Sequence, residues 1–285
     1  MRVTNVALYS NNVEAINFAL RNTDPTAQYM VKTIVGLDAE ELIPKFYGFG
    51  LQTKPKFYDF GMKPRDIVMR IVLNPRFILD ESYSDVRDEL YKAISSNRTG
   101  LIVLHFRSGA TTVSRIMGFI TKFEVPYFER LPEVQITVRC NDPMFRAINP
   151  VIYDPPELPV ANPVIIADSL STAPHGFHFQ VTFKANTPSF TIQDVPTNPE
   201  WKFTVTPNGG FLIGDIFHFS SDFGNKSLYI IRDGVTTHLM DRIEPGSVWP
   251  IIFPGSNQYS NFFHFVNIAQ IDWNTLDYYA AYWGV

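Results

Sequence analysis

The residues whose types and spacing come nearest to chemistry are three histidines in one repeated setting: Phe177-His178-Phe179, Phe217-His218-Phe219 and Phe263-His264-Phe265. Three imidazoles suffice for a zinc site. The same pattern arises when a strand turns its flanking aromatics into a core and its middle residue outward. Ligation would further require the three to meet on neighbouring strands at one level. We therefore read them as outward-facing strand residues and expect no metal and no cofactor. Cys140 is the single cysteine, so no intrachain disulfide and no CxxC site exists. It ends a predicted strand before Asn141-Asp142-Pro143 with no evident histidine partner, and reads as a small buried filler. No GxSxG, HExxH, GxxxxGK[ST] or GxGxxG motif occurs. Carboxylates are plentiful, but no spacing singles out an acid/base pair. No catalytic residue is assigned, and the chain is expected not to be an enzyme.

The tryptophans Trp201, Trp249, Trp273 and Trp283 pose a second question. An aromatic platform beside acidic and amide groups on a β-sandwich can hold sugar. On that reading Trp249, Trp273 and Trp283 are candidate glycan or partner contacts. The competing reading places tryptophans in a sandwich core or a protein interface, and the sequence favours it.

The elements that must position these residues fall into two halves. Five prolines lie between Asn149 and Pro163. Such a run is expected to be extended and to separate domains. The expected organisation is an N-terminal domain over 1–148, a linker over 149–163 and a C-terminal sandwich over 164–285. Residues 1–147 carry 19 Lys+Arg against 16 Asp+Glu, and 148–285 carry 5 against 12. The second half also holds 23 of the 41 aromatic residues. Neither basic excess nor clustering argues for base readout of nucleic acid. No apolar run approaches the length of a membrane span, and the N-terminus lacks a signal-peptide core. The expectation is a soluble protein folded in a cytoplasm, with no membrane contact.

In the first half, 31–37, 65–73, 101–106, 112–124 and 133–140 read as strands rich in Val, Ile, Phe and Thr. A helix is predicted near 85–96, with Ser84 as N-cap and an apolar stripe of Val86, Leu90, Ala93 and Ile94. Between 44 and 64 the pattern breaks. Gly and Pro alternate with Phe46, Tyr47, Phe49, Phe57, Tyr58 and Phe60. A segment so aromatic and so interrupted is not expected to form a regular element of its own. It is a candidate intersubunit arm, the alternative being a loop folded onto its own domain. The second half reads as all-β. Phe177, Phe179, Val181 and Phe183 alternate with polar residues, and Arg232-Asp233-Gly234 joins two apolar runs as a tight hairpin. The fold class is mainly β: a β-rich first domain with one helix, then a β-sandwich.

The order of these elements resembles the distal tail protein family of long-tailed bacteriophages. The likeness runs from Ser82–Leu90 and Leu101–Phe106, through Val134–Phe145, to Gly214-Asp215, Asp233-Gly234, Gly246-Ser247-Val248-Trp249-Pro250 and Phe253–Asn257. It implies a structural virion protein of the tail tip or baseplate. Its N-terminal domains would form a hexameric ring by self-association, a belt-like arm would wrap a neighbour, and a galectin-like C-terminal sandwich would project outward. The implied partners are the tail tube protein and the tail-tip hub or fibre proteins, with assembly in the host cytoplasm. A carbohydrate-binding module for host surface glycans is the alternative. The aromatic stretch 259–285 lies beyond where the sandwich is expected to end, and reads as an extra docking segment.

Overall fold

The computed structural model describes residues 3–10, 13–20, 24, 26–38, 42–47, 56–75, 82–97, 100–124, 133–153, 164–166, 168, 170–194, 202–254 and 262–284. They form two compact units. The first comprises 1–41, 62–148 and 282–285, and the second 42–61 and 149–281.

In the first half the strands are β1 (Asn5–Ser10), β2 (Val13–Leu20), β3 (Tyr29–Val35), β4 (Leu42–Tyr47), β5 (Lys56–Met62) and β6 (Arg65–Leu73). Helix α1 (Tyr83–Asn97) follows, then β7 (Ile102–Ser108), β8 (Thr111–Glu124), β9 (Glu133–Cys140) and β10 (Phe145–Arg146). Seven of them, in the order β8-β7-β1-β2-β3-β6-β9, close into a barrel because β8 also pairs with β9. The length of β8 makes this possible. Its first half pairs with β7, and Phe119–Glu124 pair with β9. Closure removes the open edges that a flat sheet of this size would expose. Alternation is plain in β6, where Arg65, Ile67, Met69, Ile71 and Leu73 are buried and the residues between them are not.

Helix α1 contributes Val86, Leu90 and Ile94, each at most 1% exposed, to the same core. Its N-cap is Ser82, two residues before the expected Ser84. The Asp85 amide donates to Ser82 Oγ at 3.3 Å, and the Ser82 amide donates back to Asp85 Oδ2 at 2.9 Å. That reciprocal pair is a capping box, and its spacing is Ser-x-x-Asp.

The segment 44–64 departs from expectation. Its β4 and β5 pair with each other as a two-stranded sheet, separate from the barrel sheet, and 42–61 group with the second unit. Local pairing of two short strands satisfies the backbone despite the interruptions. Residues 282–285 in turn group with the first unit. There the fully buried Arg65 donates to the carbonyls of Gly36 and Trp283, both at 3.0 Å, and its guanidinium lies 4.8 Å above the Phe145 ring. A buried cation requires such acceptors. Gly36 has φ +88°, and a Cβ there would stand 2.2 Å from the Asp66 carbonyl oxygen, so only glycine fits.

The second unit contains β11 (Val151–Tyr153), β12 (Val164–Ile165), β13 (His178–Phe183), β14 (Phe190–Asp194), β15 (Lys202–Val205) and β16 (Ile216–Ser220). Next come β17 (Ser227–Arg232), β18 (Val235–His238), β19 (Phe262–Phe265) and β20 (Ile271–Tyr278); β21 (Ala281–Tyr282) carries the chain back to the first unit. One sheet runs β11-β20-β13-β16-β17-β18 and the other β12-β19-β14-β15. Their facing sides are filled with phenylalanine. Phe179 stacks on Phe219 at 4.8 Å within one sheet and meets Phe190 and Phe265 of the other, each at 5.8 Å. At about 25 cal/mol per Å² of apolar surface, such rings dominate the unit's stability.

Two expectations about this unit are corrected. The proline-rich run is not linker throughout, since Val151–Tyr153 pair with Leu276–Tyr278 as the sheet's outermost strand. An edge position suits a strand that directly follows Pro150. The described part of the aromatic stretch 259–285 does not lie wholly beyond the sandwich. Its β19 pairs with β12 and β14, and its β20 lies between β11 and β13. Strands β19 and β20 thus each complete one sheet of the sandwich.

Candidate functional site

The three Phe-His-Phe repeats alternate as strands should. Phe177, Phe179, Phe217, Phe219, Phe263 and Phe265 are all buried, and the histidines are turned the other way. The three do not share a sheet. His178 and His218 lie on the six-stranded sheet and His264 on the four-stranded one. Among the described residues no group of three or more His, Cys, Asp or Glu is placed to hold a metal ion.

His178 is more than an outward-facing residue. Its Nδ1 lies 3.0 Å from Asp277 Oδ1 and its Nε2 2.9 Å from Asp222 Oδ2, with the imidazole 26% exposed. Burial works against the charged ring, but the two carboxylates outweigh it and raise its pKa to about 9. At neutral pH it is a cation clamped between two anions. It ties β20 to the turn that follows β16.

Next to it, strand register sets a row across five strands. Thr275, Gln180, His218, Tyr229 and His238 stand side by side on β20, β13, β16, β17 and β18. His218 stacks on Tyr229, with centroids 4.4 Å apart and an interplanar angle of 15°. Burial holds its pKa below the usual imidazole value, so the ring is neutral at pH 7. A depression of about 310 Å³ lies along this row. A second, larger cleft of about 710 Å³ lies in the first unit, between β2 and helix α1.

A further cluster was missed in the sequence. Asp168, fully buried, accepts from the amides of Leu170 and Ser171 at 3.1 Å, and its Oδ2 lies 2.9 Å from His175 Nε2. Tyr278 Oη donates to its other oxygen at 3.4 Å, and the His175 ring stacks on Tyr278 at 4.8 Å. Burial opposes the carboxylate, yet the His175 and Ser171 hydrogen bonds lower its pKa to about 2. This network cross-links the loop before β13 to β20. The sequence signal was only an Asp and a His seven residues apart in a loop.

The described tryptophans each have their own surroundings. Trp249 backs onto Phe203 at 4.7 Å and Phe219 at 5.6 Å, with Lys226 Nζ 5.2 Å from its ring. Trp273 meets Phe265 and Phe179 edge-on at 5.1 and 5.7 Å. Trp283 lies in the first unit, its carbonyl held by Arg65. Trp201 falls outside the described residues. Of the candidate arm, Phe46 and Tyr47 lie on β4 and Phe57, Tyr58 and Phe60 on β5, while Phe49 is outside the described residues. Cys140 is fully buried, and burial pushes its thiol up to about 12.

The motifs that carried the family resemblance prove structural. Gly214 turns the chain with φ +88°. Asp215 then accepts from the Leu212 amide at 2.8 Å and from Arg232 Nε and Nη2 at 2.8 and 2.7 Å. Asp233 and Gly234, with φ of 51° and 78°, form the tight hairpin expected of them. Ser247 Oγ accepts from the Thr204 amide and donates to its carbonyl, fixing the segment before Trp249 against β15.

Together these features define a mainly β protein of two units, a helix-bearing closed barrel and a phenylalanine-cored sandwich. Its fold is similar to that of the phage SPP1 Dit protein, described as a paradigm of the hub adsorption apparatus in phages that infect Gram-positive bacteria. The match has a TM-score of 0.59 at 10% identity and spans 97% of this chain and 98% of that one. Two structures of the phage p2 baseplate in its activated conformation also match. With strontium the TM-score is 0.44 at 8% identity, over 97% of this chain and 98% of that one. With calcium it is 0.45 at 6% identity, over 99% and 98%. No protein-family model and no curated protein sequence matches the chain.

Proposed function

We propose that the chain is a structural component of a phage tail tip: a ring-forming distal tail, or baseplate hub, protein without catalytic activity. The observation that carries this reading is the likeness to SPP1 Dit, which takes in both units in order and nearly the full length of each chain. A shared fold alone leaves function open; the likeness supports the reading because it spans 97% of this chain and so takes in both units. In this reading the barrel units associate as a hexamer and the β4–β5 hairpin is the arm that reaches a neighbour. One face of the ring meets the tail tube and the other the tail-tip hub or fibre proteins. Assembly takes place in the host cytoplasm and the mature location is the virion tail. Head-to-tail contacts of this kind close a ring when the rotation between copies divides the circle.

The test is the mass of purified protein by light scattering, read for the wild type and for a variant with Phe57, Tyr58 and Phe60 all changed to Ser. The wild type should run at six times the 32.5 kDa chain mass, and the folded variant as a monomer. A wild type that stays monomeric both alone and with a tail tube protein refutes the ring. A variant that keeps both fold and ring places the arm elsewhere.

A further inference from the structure

The barrel unit is not continuous in the chain. Most of it lies within residues 1–148, but 282–285 belong to it as well, and they follow the whole of the second unit. Three contacts seat them. Tyr282, in β21 beside β10, packs against the barrel core. The Trp283 carbonyl accepts from Arg65 Nη2 at 3.0 Å. Gly284 passes so close to the 36–37 turn that a Cβ on it would stand 2.5 Å from the Leu37 carbonyl oxygen. Arg65 joins these contacts. It opens β6, is 1% exposed, and through Nη1 donates to the Gly36 carbonyl at 3.0 Å. Its guanidinium therefore bridges the turn at Gly36 and the backbone of residue 283. Removing an acceptor from a buried cation costs far more than losing a surface contact.

We propose that residues 282–285 are a strap whose seating completes the barrel, and that a chain can join a ring only once the strap is in place. Domains fold as units during synthesis, the N-terminal one first. Here the N-terminal unit waits for residues made after 149–281. Until they arrive, Arg65 lacks the Trp283 carbonyl and the core lacks Tyr282. A chain cut short within its second unit thus keeps an unfinished barrel and stays out of the assembly. The control of ring entry rests on the ring reading above, whereas the strap stands on the contacts alone. The acceptor is a main-chain carbonyl and the close approach is made by a glycine, so the strap is held by its backbone path and not by a large side chain.

The experiment is hydrogen–deuterium exchange read on the β6 and β9 peptides, with light scattering on the same samples. The full-length variants are Gly284→Val, which drives the strap off the Leu37 carbonyl, Arg65→Met, and the two combined. A chain ending at Ala281 is the second way of removing the strap, and carries the test should Gly284→Val fail to fold. Gly284→Val should raise exchange in β6 at least about tenfold, the size set by a buried donor left short of an acceptor, and should give monomers. Adding Arg65→Met should recover most of the protection and the ring, because an apolar side chain of similar length needs no acceptor. Exchange equal to wild type in both strap variants, or no recovery with Arg65→Met, overturns the strap. Strap variants that enter rings as wild type does overturn its control of assembly. A wild type that forms no ring, with the exchange differences intact, refutes the ring reading and leaves the strap supported.

Discussion

Replacing His178 by Gln should change the stability of the protein in a pH-dependent way. His178 titrates near 9 in the folded chain and near 6.5 when unfolded. A group raised on folding contributes its full stabilisation below the unfolded value and loses it as pH rises through the folded one. The contribution is therefore complete below about pH 6.5 and fades toward about pH 9.5. The shift corresponds to at most about 3 kcal/mol. Partial exposure of the imidazole, 26%, lets solvent screen the pair and reduces this to about 2 kcal/mol. For a chain of this size, that is a melting-temperature difference of about 3 °C. Melting curves of wild type and His178→Gln, recorded from pH 6 to 10, supply the test. Other groups titrate in both proteins, so the difference between the two curves is the readout. It should be largest at pH 6 and shrink steadily above pH 8. A constant difference, or one that grows with pH, would refute the clamp between Asp222 and Asp277.

Further outcomes follow from the same contacts. Asp168→Asn should destabilise the protein by about 2–3 kcal/mol, because it removes the charge that four donors converge on; chemical denaturation at pH 7 measures this. The lowered Asp168 pKa places its contribution above about pH 3.8, to be lost on acidification toward pH 2, and the variant should show a weaker acid transition. Cys140 should resist thiol-reactive disulfide reagents in the native protein and react at once in denaturant; fast native labelling would contradict its burial. Gly36→Ala should cost at least about 1 kcal/mol, since its Cβ would strike the Asp66 carbonyl, and a neutral result in thermal melting would show that the turn is not as tight as it stands here.

Much of the architecture was legible in residue patterns, for reasons that differ by element. Strand β6 over Arg65–Leu73 and strand β9 over Glu133–Cys140 have the bounds that their alternation predicts. Each has one face against a core, and period two leaves little freedom of register. The apolar stripe of α1 was equally clear, but its cap was misplaced because Ser82 and Ser84 both satisfy the preference and only Ser82 has a partner three residues on. Strands β1 and β2 were not read, since Asn and Glu interrupt their apolar residues. Their pairing to each other, and of β1 to β7, comes from barrel closure and not from propensity. The last strands were misread for the same reason. Nothing local tells that Ile271–Tyr278 returns to lie between β11 and β13. The candidate site followed this division. The three histidines were visible in sequence, but the row of Thr275, Gln180, His218 and Tyr229 brings together residues far apart in the chain. Only the strand order reveals it.

The role proposed for this chain is a ring at a phage tail tip. Negative-stain electron microscopy of the purified full-length protein, alone and mixed with a tail tube protein, tests it most directly. The account predicts class averages with six-fold symmetry, a central opening and arms that bridge adjacent copies. Averages showing only isolated single-copy particles under both conditions would contradict it.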